Sequence, residues 1–230
     1  MKKSQIHAGV LVIFLLLLWV IPAVCSAQTA TGYAVGYVKI DIPAGGSWVQ
    51  VATPFDASTG EPMTLDQVFG DRLPENTEIQ FRTGSGYDVF TYLLGEWRNE
   101  SLDPNGDYQM PRGNGCWLKT PNGTEAMELI VAGTVPEQGP HTVTLAVGYS
   151  IFGFGFPTET SIGEAGLNPN EGDTIQKVVP GSGYTVWTYL LDSWRDENLQ
   201  PVNFTFQPGK AYWYYNAGGG SLTWHQPKLY

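Results

Sequence analysis

A long internal repeat constrains this chain more than any other feature of its sequence. Residues 84–102 read GSGYDVFTYLLGEWRNESL, and residues 181–199 read GSGYTVWTYLLDSWRDENL. Self-similarity at a fixed offset, here 97 residues, indicates that one structural unit occurs twice. We therefore predict two similar modules, residues 28–135 and 136–230. The segment that joins them is polar and rich in proline and glycine, as linkers are.

Each module is predicted to be built from strands. Residues 38–42 (VKIDI) alternate apolar and polar side chains, the period of a half-buried strand. The glycine-serine-glycine turns lie between two such runs, which predicts a β-hairpin in each module. The chain has 28 Gly, 16 Pro and only 15% charged residues, so it is rich in turns. The predicted fold is all-β, with two antiparallel barrel or sandwich modules in tandem and one short helix at residues 64–69.

The repeated aromatic residues predict how the modules are held together. Large aromatic side chains bury 150–250 Å² each and dominate the energetics of small cores. Modules of this size without disulfides need such contributions, so we expect four tryptophans to be core residues: Trp97, Trp117, Trp194 and Trp213.

The first 27 residues have the pattern of a secretory signal. Lys2 and Lys3 precede an apolar stretch at residues 9–20, and Val24-Cys25-Ser26-Ala27 resembles a cleavage site. A transmembrane anchor would need about 20 apolar residues, and a lipidated Cys25 would follow a smaller residue than Val24. We predict cleavage after Ala27, and hence a secreted, extracellular or periplasmic protein.

The net charge of the chain narrows its possible partners. Without residues 1–27 the chain has 10 Lys and Arg against 22 Asp and Glu, a net charge of −12. Nucleic acids are therefore poor partners, because their phosphates bind through Lys and Arg.

After removal of residues 1–27, Cys116 would be the one cysteine left, so no disulfide within the chain is expected. We interpret it as a small buried core residue matched to Ala211 in the second module.

Enzyme motifs are not found in the sequence, and no catalytic residue is predicted. The one repeated polar cluster is Trp-Arg-(Asn/Asp)-Glu. Its Glu100 and Glu197 are candidates for the paired carboxylates of a glycoside hydrolase. Alternatively, Arg98 and Arg195 pair with these glutamates or with a nearby ring, and maintain the fold. Repetition of the cluster in both modules favours the second interpretation.

Neither a metal site nor a cofactor is predicted. Residues 103–107 (DPNGD) have oxygen ligands at alternate positions, like half of a calcium loop. The loop lacks a terminal glutamate, and residues 200–203 of the second module keep no such ligands. Pro and Asn-Gly are typical of an ordinary turn, which is the interpretation we favour.

A run of four aromatic residues offers a candidate ligand surface. Successive strand residues point to opposite faces, so Trp213 and Tyr215 share one face while Tyr212 and Tyr214 share the other. One of these pairs could be exposed and stack on a sugar ring. Cross-strand packing inside a sheet is the alternative.

Several motifs follow one another along the chain, with a second copy downstream: residues 36–42 (GYVKIDI), 43–48 (PAGGSW), 54–55 (PF), 65–70 (LDQVFG), 84–97, 111–117 (PRGNGCW) and 122–123 (NG). Together they resemble an uncharacterised family of exported bacterial proteins with tandem aromatic and glycine-rich β modules. The resemblance covers nearly all of the chain after residue 27. It implies the tandem β architecture and supplies no functional residues.

These observations predict a secreted or cell-envelope protein that is not an enzyme and acts as a structural or binding scaffold. Its expected partners are surface polysaccharides or extracellular proteins. The alternative is a carbohydrate-binding module that uses exposed Trp and Tyr side chains. A secreted glycoside hydrolase is the third hypothesis.

Overall fold

A computed structural model describes residues 33–230 of the chain. The predicted signal segment, residues 1–27, lies outside the described residues. The all-β prediction is confirmed, since the described part of the chain consists of antiparallel strands with one short helix. The helix is four residues long. Within residues 33–230, no helix has the length and apolarity that a membrane span requires.

The first half of the described chain holds nine strands and the helix. The helix begins after Thr64, whose side chain accepts a hydrogen bond from the Gln67 amide while the Gln67 side chain accepts one from Thr64, a capping box. The elements are β1 (Val35–Ile42), β2 (Trp48–Ala52), β3 (Met63–Thr64), α1 (Leu65–Val68), β4 (Glu78–Arg82), β5 (Tyr87–Leu93), β6 (Glu96–Asn99), β7 (Gln109–Met110), β8 (Gly115–Lys119) and β9 (Met127–Thr134).

The second half repeats this order without the helix. Its strands are β10 (His141–Leu145), β11 (Gly148–Gly153), β12 (Thr160–Ser161), β13 (Thr174–Val179), β14 (Gly183–Leu190), β15 (Ser193–Arg195), β16 (Thr205–Phe206), β17 (Ala211–Asn216) and β18 (Leu222–Gln226).

The two halves have the same sheet topology. A five-stranded antiparallel sheet in the first half has the order β2-β8-β4-β5-β6, and the one in the second half has the order β11-β17-β13-β14-β15. In each half the first strand pairs with the last, β1 with β9 and β10 with β18, and a small third sheet pairs β3 with β7 and β12 with β16. We call the two five-stranded sheets the first and second main sheets.

Strand register identifies the equivalent residues of the two halves. Trp117 faces Gln80 on β4, and Trp213 faces Gln176 on β13, so these tryptophans occupy the same place in their sheets. By the same register Cys116 corresponds to Tyr212, because both directly precede the matched tryptophan. The match of Cys116 with Ala211 was therefore wrong. The offset between the copies is 97 residues in the repeated hairpin, 96 residues at the matched tryptophans and 101 residues between β2 and β11.

Each half has its own hydrophobic core beneath one face of its main sheet. The four predicted core tryptophans are all at most 9% exposed. Trp97 packs against Phe69 and Tyr92 in the first core, and Trp194 packs against Phe204 in the second. At about 25 cal/mol per Å², burying a large aromatic ring contributes on the order of 4–6 kcal/mol before the loss of conformational entropy.

Trp117 and Trp213 belong to a third cluster. They pack with Ala52, Ile151 and Ala211 on the opposite faces of the two main sheets, where the halves meet. Residues 33–230 accordingly form one compact unit. Strand pairing, apart from isolated bridges such as Val51 with Lys210, stays within residues 35–134 or within residues 141–226.

Candidate functional site

A cleft of about 490 Å³ opens between the two main sheets and is the candidate functional site. Both halves contribute to it. We call it the aromatic cleft, because five aromatic side chains line it together with Gln80 and the turn from Val178 to Gly183: Trp48, Tyr87, Trp117, Tyr184 and Trp213. The side chains that line it in the described part of the chain are uncharged.

The floor of the cleft is a ladder of aromatic rings that crosses from one half to the other. Trp48 contacts Trp117 edge-on at a centroid distance of 6.2 Å, and Trp117 contacts Trp213 at 6.1 Å. Trp213 then contacts Tyr149 edge-on at 5.9 Å. Trp48 and Tyr149 occupy equivalent positions, since each lies two residues before the residue that faces the matched tryptophan. The ladder is therefore approximately symmetric about the Trp117–Trp213 contact.

Both ends of the ladder are covered from the neighbouring strand. The Lys119 Nζ atom lies 5.4 Å from the centre of the Trp48 ring, a cation–π contact. At the equivalent place in the second half, Tyr215 packs on Tyr149 with centroids 4.9 Å apart. The ladder is thus covered by a cation at its Trp48 end and by a phenol ring at its Tyr149 end.

Backbone hydrogen bonds hold the halves together beside the ladder. The Ala52 amide donates to the Gly209 carbonyl at 3.1 Å, and the Gly153 amide donates to the Gly113 carbonyl at 2.7 Å. These bonds are equivalents, because Ala52 corresponds to Gly153 and Gly113 to Gly209 in the register. The junction is an isologous interface between two copies within one chain.

Small residues allow this close approach. A Cβ atom added to Gly153 would lie 2.3 Å from the Cβ of Ala52, and one added to Gly115 would lie 2.8 Å from both Ala211 and Ile151. The main sheets therefore touch where β2 and β11 end, and the cleft opens at the other side, toward the β4–β5 and β13–β14 hairpins.

Gln50 links the halves across the junction through its side chain. Its Oε1 atom accepts a hydrogen bond from the Val178 amide at 3.2 Å. The side chain is buried, and its Nε2 atom has no hydrogen-bond partner. Gln50 thus fixes the position of the β13 end that lines the cleft.

Two tyrosines at the mouth of the cleft come from the repeated hairpins. Tyr87 is 39% exposed and Tyr184 is 49% exposed, and both follow a Gly-Ser-Gly turn. The Arg82 guanidinium lies 5.4 Å from the centre of the Tyr87 ring. Gly84 and Gly86 have open space where a side chain would be and no left-handed φ angle. Their turn therefore leaves room beside the cleft that the fold itself does not use.

The predicted aromatic surface is only partly available to a ligand. Trp213 lies in the floor of the cleft, and Tyr215 is 36% exposed at the end of the ladder. Tyr212 and Tyr214 are fully buried in the second core, so their prediction as ligand-binding residues was wrong. Burial raises the pKa of Tyr212 to about 12, and its hydroxyl oxygen accepts a hydrogen bond from the Gln207 amide.

Tyr214 instead donates its hydroxyl to Asp173, a buried carboxylate. Burial, followed by this hydrogen bond, raises the pKa of Tyr214. Asp173 also accepts hydrogen bonds at 2.7 Å from the amides of Asn170 and Ala217. The inward face of β17 is thus part of a structural polar network.

The glutamates of the repeated polar cluster are both exposed and line no part of the aromatic cleft. Their expected arginine partners make other contacts. Arg98 pairs with Glu96 and donates to the Leu102 carbonyl at 2.7 Å, and Arg195 donates to the Leu199 carbonyl at 2.8 Å. The arginines therefore hold turns, and the proposed pairing with Glu100 and Glu197 was wrong.

In the DPNGD segment, residues 103–107, Gly106 and Asp107 form a turn and Pro104 makes an isolated bridge with Arg98. Within residues 33–230, no group of three or more His, Cys, Asp or Glu side chains is placed to hold a metal ion. Cys116 is fully buried in the first core, and this burial raises the pKa of its thiol.

Arg112 makes a second contact between the halves. It lies in the loop before β8, and its guanidinium is 5.2 Å from the centre of the Phe156 ring in the second half. Within its own half, the Nε atom of Arg112 is 3.7 Å from Asp56 Oδ2. Burial lowers the pKa of His141 to about 4, and the charge of Arg112 adds to this effect. His141 therefore stays neutral at the junction over most of the pH range.

Comparison with known proteins found no match to a family model, a curated protein or a solved structure. The resemblance to exported bacterial proteins stays a prediction, and function has to be argued from the geometry of the cleft.

Proposed function

We propose that this chain is an exported, non-enzymatic binding protein whose aromatic cleft binds an uncharged glycan chain. One observation carries the proposal: five aromatic rings from both halves line one open cleft without any charged side chain. Ligand sites are mostly apolar with a few polar groups that set orientation. The lining of the cleft therefore favours the carbohydrate-binding hypothesis over a purely structural scaffold.

The chemistry of the lining fits a sugar ring. A pyranose has flat C–H faces, which pack on the faces of Trp and Tyr, and a rim of hydroxyl groups that need hydrogen-bond partners. Gln80 supplies an amide that can both donate and accept, and the Ser182 and tyrosine hydroxyls can do the same. No charged side chain of the described residues lines the cleft, although Lys119 and Arg82 each lie 5.4 Å from the centre of a lining ring, Trp48 and Tyr87 respectively.

A glycan array of uncharged oligosaccharides, followed by calorimetry on the strongest ligand, tests the proposal. We expect Tyr87→Ala and Tyr184→Ala each to weaken binding by about tenfold, the loss of roughly 1.4 kcal/mol of aromatic contact. Both side chains are substantially exposed, so the variants should keep wild-type stability. Tyr37→Ala is the matched control, because Tyr37 is 70% exposed on β1 and does not line the cleft.

The proposal fails if no uncharged glycan binds, or if Tyr87→Ala and Tyr184→Ala bind it as tightly as Tyr37→Ala does. A proline-rich peptide is the competing ligand, because such peptides also dock in aromatic grooves. Binding of that peptide, with no glycan bound, would replace the glycan by a protein ligand.

A further inference from the structure

Four exposed leucines adopt the left-handed backbone conformation, which is uncommon for a bulky residue. Leu94 and Leu102 have φ angles of 56° and 65°, and their side chains are 85% and 60% exposed. Leu191 and Leu199, their equivalents 97 residues later, have φ angles of 53° and 60° and are 75% and 58% exposed. Gly, Asn and Asp are the residues that such turns select. The chain has leucine instead, at both positions of both copies.

Specific hydrogen bonds hold the first turn of each pair. The Glu75 carboxylate accepts hydrogen bonds from the amides of Leu94 at 2.8 Å and Gly95 at 2.9 Å. In the second half, the Glu171 carboxylate accepts one from the Leu191 amide at 3.1 Å. An unfavourable conformation persists only where its surroundings over-determine it, and each half supplies a carboxylate for that purpose.

The second turn of each pair is held by the repeated arginine. Arg98 and Arg195 donate to the carbonyls of Leu102 and Leu199, as described above. The arginine of the repeated Trp-Arg pair therefore holds a leucine turn in both copies. Each edge strand, β6 or β15, has one outward leucine beyond either end. We call Leu94 with Leu102, and Leu191 with Leu199, the two leucine edges.

The backbone of these edge strands is already covered. The Asn105 amide donates to the Trp97 carbonyl at 2.8 Å, and the Val202 amide donates to the Trp194 carbonyl at 2.9 Å. A partner that adds a strand would have to displace these bonds. The leucine side chains are what remains available to a partner.

Acidic residues lie beside both leucine edges: Glu75 and Glu171 bond to the first turn of each, and the others are within three residues of one of the leucines in sequence. The first edge has four acidic residues against Arg98, and the second has four against Arg195, a net charge of −3 at each. The acidic residues are Glu75, Glu96, Glu100 and Asp103 in the first half and Glu171, Asp192, Asp196 and Glu197 in the second. An anionic lipid surface would be repelled by this charge, whereas a basic surface would be attracted.

We propose that the leucine edges are docking sites for a basic amphipathic protein segment, one that presents apolar side chains flanked by Lys or Arg. The leucines enter the apolar part of that segment, and the surrounding carboxylates face its cations. Because the edge occurs twice, one chain offers two equivalent sites. This proposal is independent of the aromatic cleft, since none of the four leucines lines it.

The test uses a synthetic peptide of Leu and Lys arranged as an amphipathic helix, with a scrambled peptide of the same composition as its control. Binding to the full chain is measured by fluorescence anisotropy at low and high salt. We expect the helical peptide to bind at least about tenfold more tightly than the scrambled one, and the binding to weaken as salt screens the charges.

The decisive variant replaces all four leucines by Asn. Asn tolerates the left-handed conformation, so the thermal midpoint should equal or exceed that of the wild type while peptide binding falls by about tenfold or more. Leu229→Asn is the matched control, because Leu229 is 47% exposed and lies outside both edges. It should bind as the wild type does.

The proposal is overturned if the scrambled peptide binds equally well, if the four-leucine variant keeps wild-type affinity, or if anionic phosphatidylglycerol vesicles bind more tightly than the peptide. Glycan binding in the cleft should be unchanged by the four substitutions, so this proposal and the proposed function can fail separately.

Discussion

Trp117 and Trp213 occupy the same position in two copies of one sheet, and their rings meet at a centroid distance of 6.1 Å. The contact joins the halves and forms the floor of the aromatic cleft. A single side-chain type thus serves both the stability of the junction and the shape of the site.

The Trp117–Trp213 contact should be measurable as a coupling energy. We expect Trp117→Leu and Trp213→Leu each to lower the free energy of unfolding, since each removes a buried ring. In the double variant the two losses should fall short of additive by roughly 0.5–1.5 kcal/mol, the range for an aromatic pair. Urea denaturation of the four proteins measures this cycle, and strictly additive losses would show that the contact between the two rings adds nothing to what each ring contributes by its own burial.

The close approach of the main sheets should make Gly153 intolerant of a side chain. Gly153→Ala places a Cβ atom 2.3 Å from that of Ala52, and we expect this overpacking to cost about 1–3 kcal/mol of unfolding free energy. Gly220→Ala is the control, because a Cβ there would have open space and the backbone φ is not left-handed. Thermal and urea denaturation compare the two, and equal stability would contradict the junction geometry.

Asp173 should be essential to the second half. Asp173→Ala leaves two backbone amides and the Tyr214 hydroxyl without their acceptor, and we expect a loss of roughly 2–4 kcal/mol. Tyr214→Phe removes one hydroxyl and leaves both amide bonds to the carboxylate, so its loss should be about 1 kcal/mol. Urea denaturation ranks the two variants, and the opposite ranking would mean that Asp173 is not the centre of the network.

His141 should make the fold sensitive to acid. Its folded pKa of about 4 lies below the ordinary value of 6.5, so on acidification the unfolded chain takes up the proton first. The contribution of neutral His141 to the free energy of unfolding is therefore complete at pH values above its ordinary pKa of 6.5, and it is lost as the pH falls toward the folded pKa of about 4. The raised pKa of Asp56, caused mainly by burial, acts in the opposite direction.

Unfolding free energies at about pH 7 and about pH 4.5 test this prediction. We expect His141→Gln to lose less stability than the wild type between these two values. His225→Gln is the control and should follow the wild type. If His141→Gln and the wild type lose equal stability, protonation of His141 does not weaken the junction.

The repeat and the strand pattern predicted much of this fold. Alternation showed that Trp213 and Tyr215 share one face of β17, and the structure has them so. Alternation alone does not show which face is covered, so the sequence leaves Tyr212 and Tyr214 as candidates, whereas the structure has both in the second core.

The cleft itself could not be predicted from local patterns. Its lining combines Trp48, the β13 end and the repeated tyrosines, which come together only through the junction between the halves. That junction depends on contacts such as Gly115 with Ala211, more than 90 residues apart in sequence. The repeated Gly-Ser-Gly-Tyr motif was the one available signal, since Tyr87 and Tyr184 are conspicuously matched and yet exposed.

The pairing of the first with the last strand has a consequence for how such proteins can be assembled. Val35 faces Thr134, and His141 faces Gln226, so the entry and exit of each half lie side by side. A linker of a few residues is then enough to connect one half to the next, and neither half has to open its core. Tandem duplication of the gene segment for one half would therefore lengthen the protein without disturbing the existing cores, and each added junction would form another cleft.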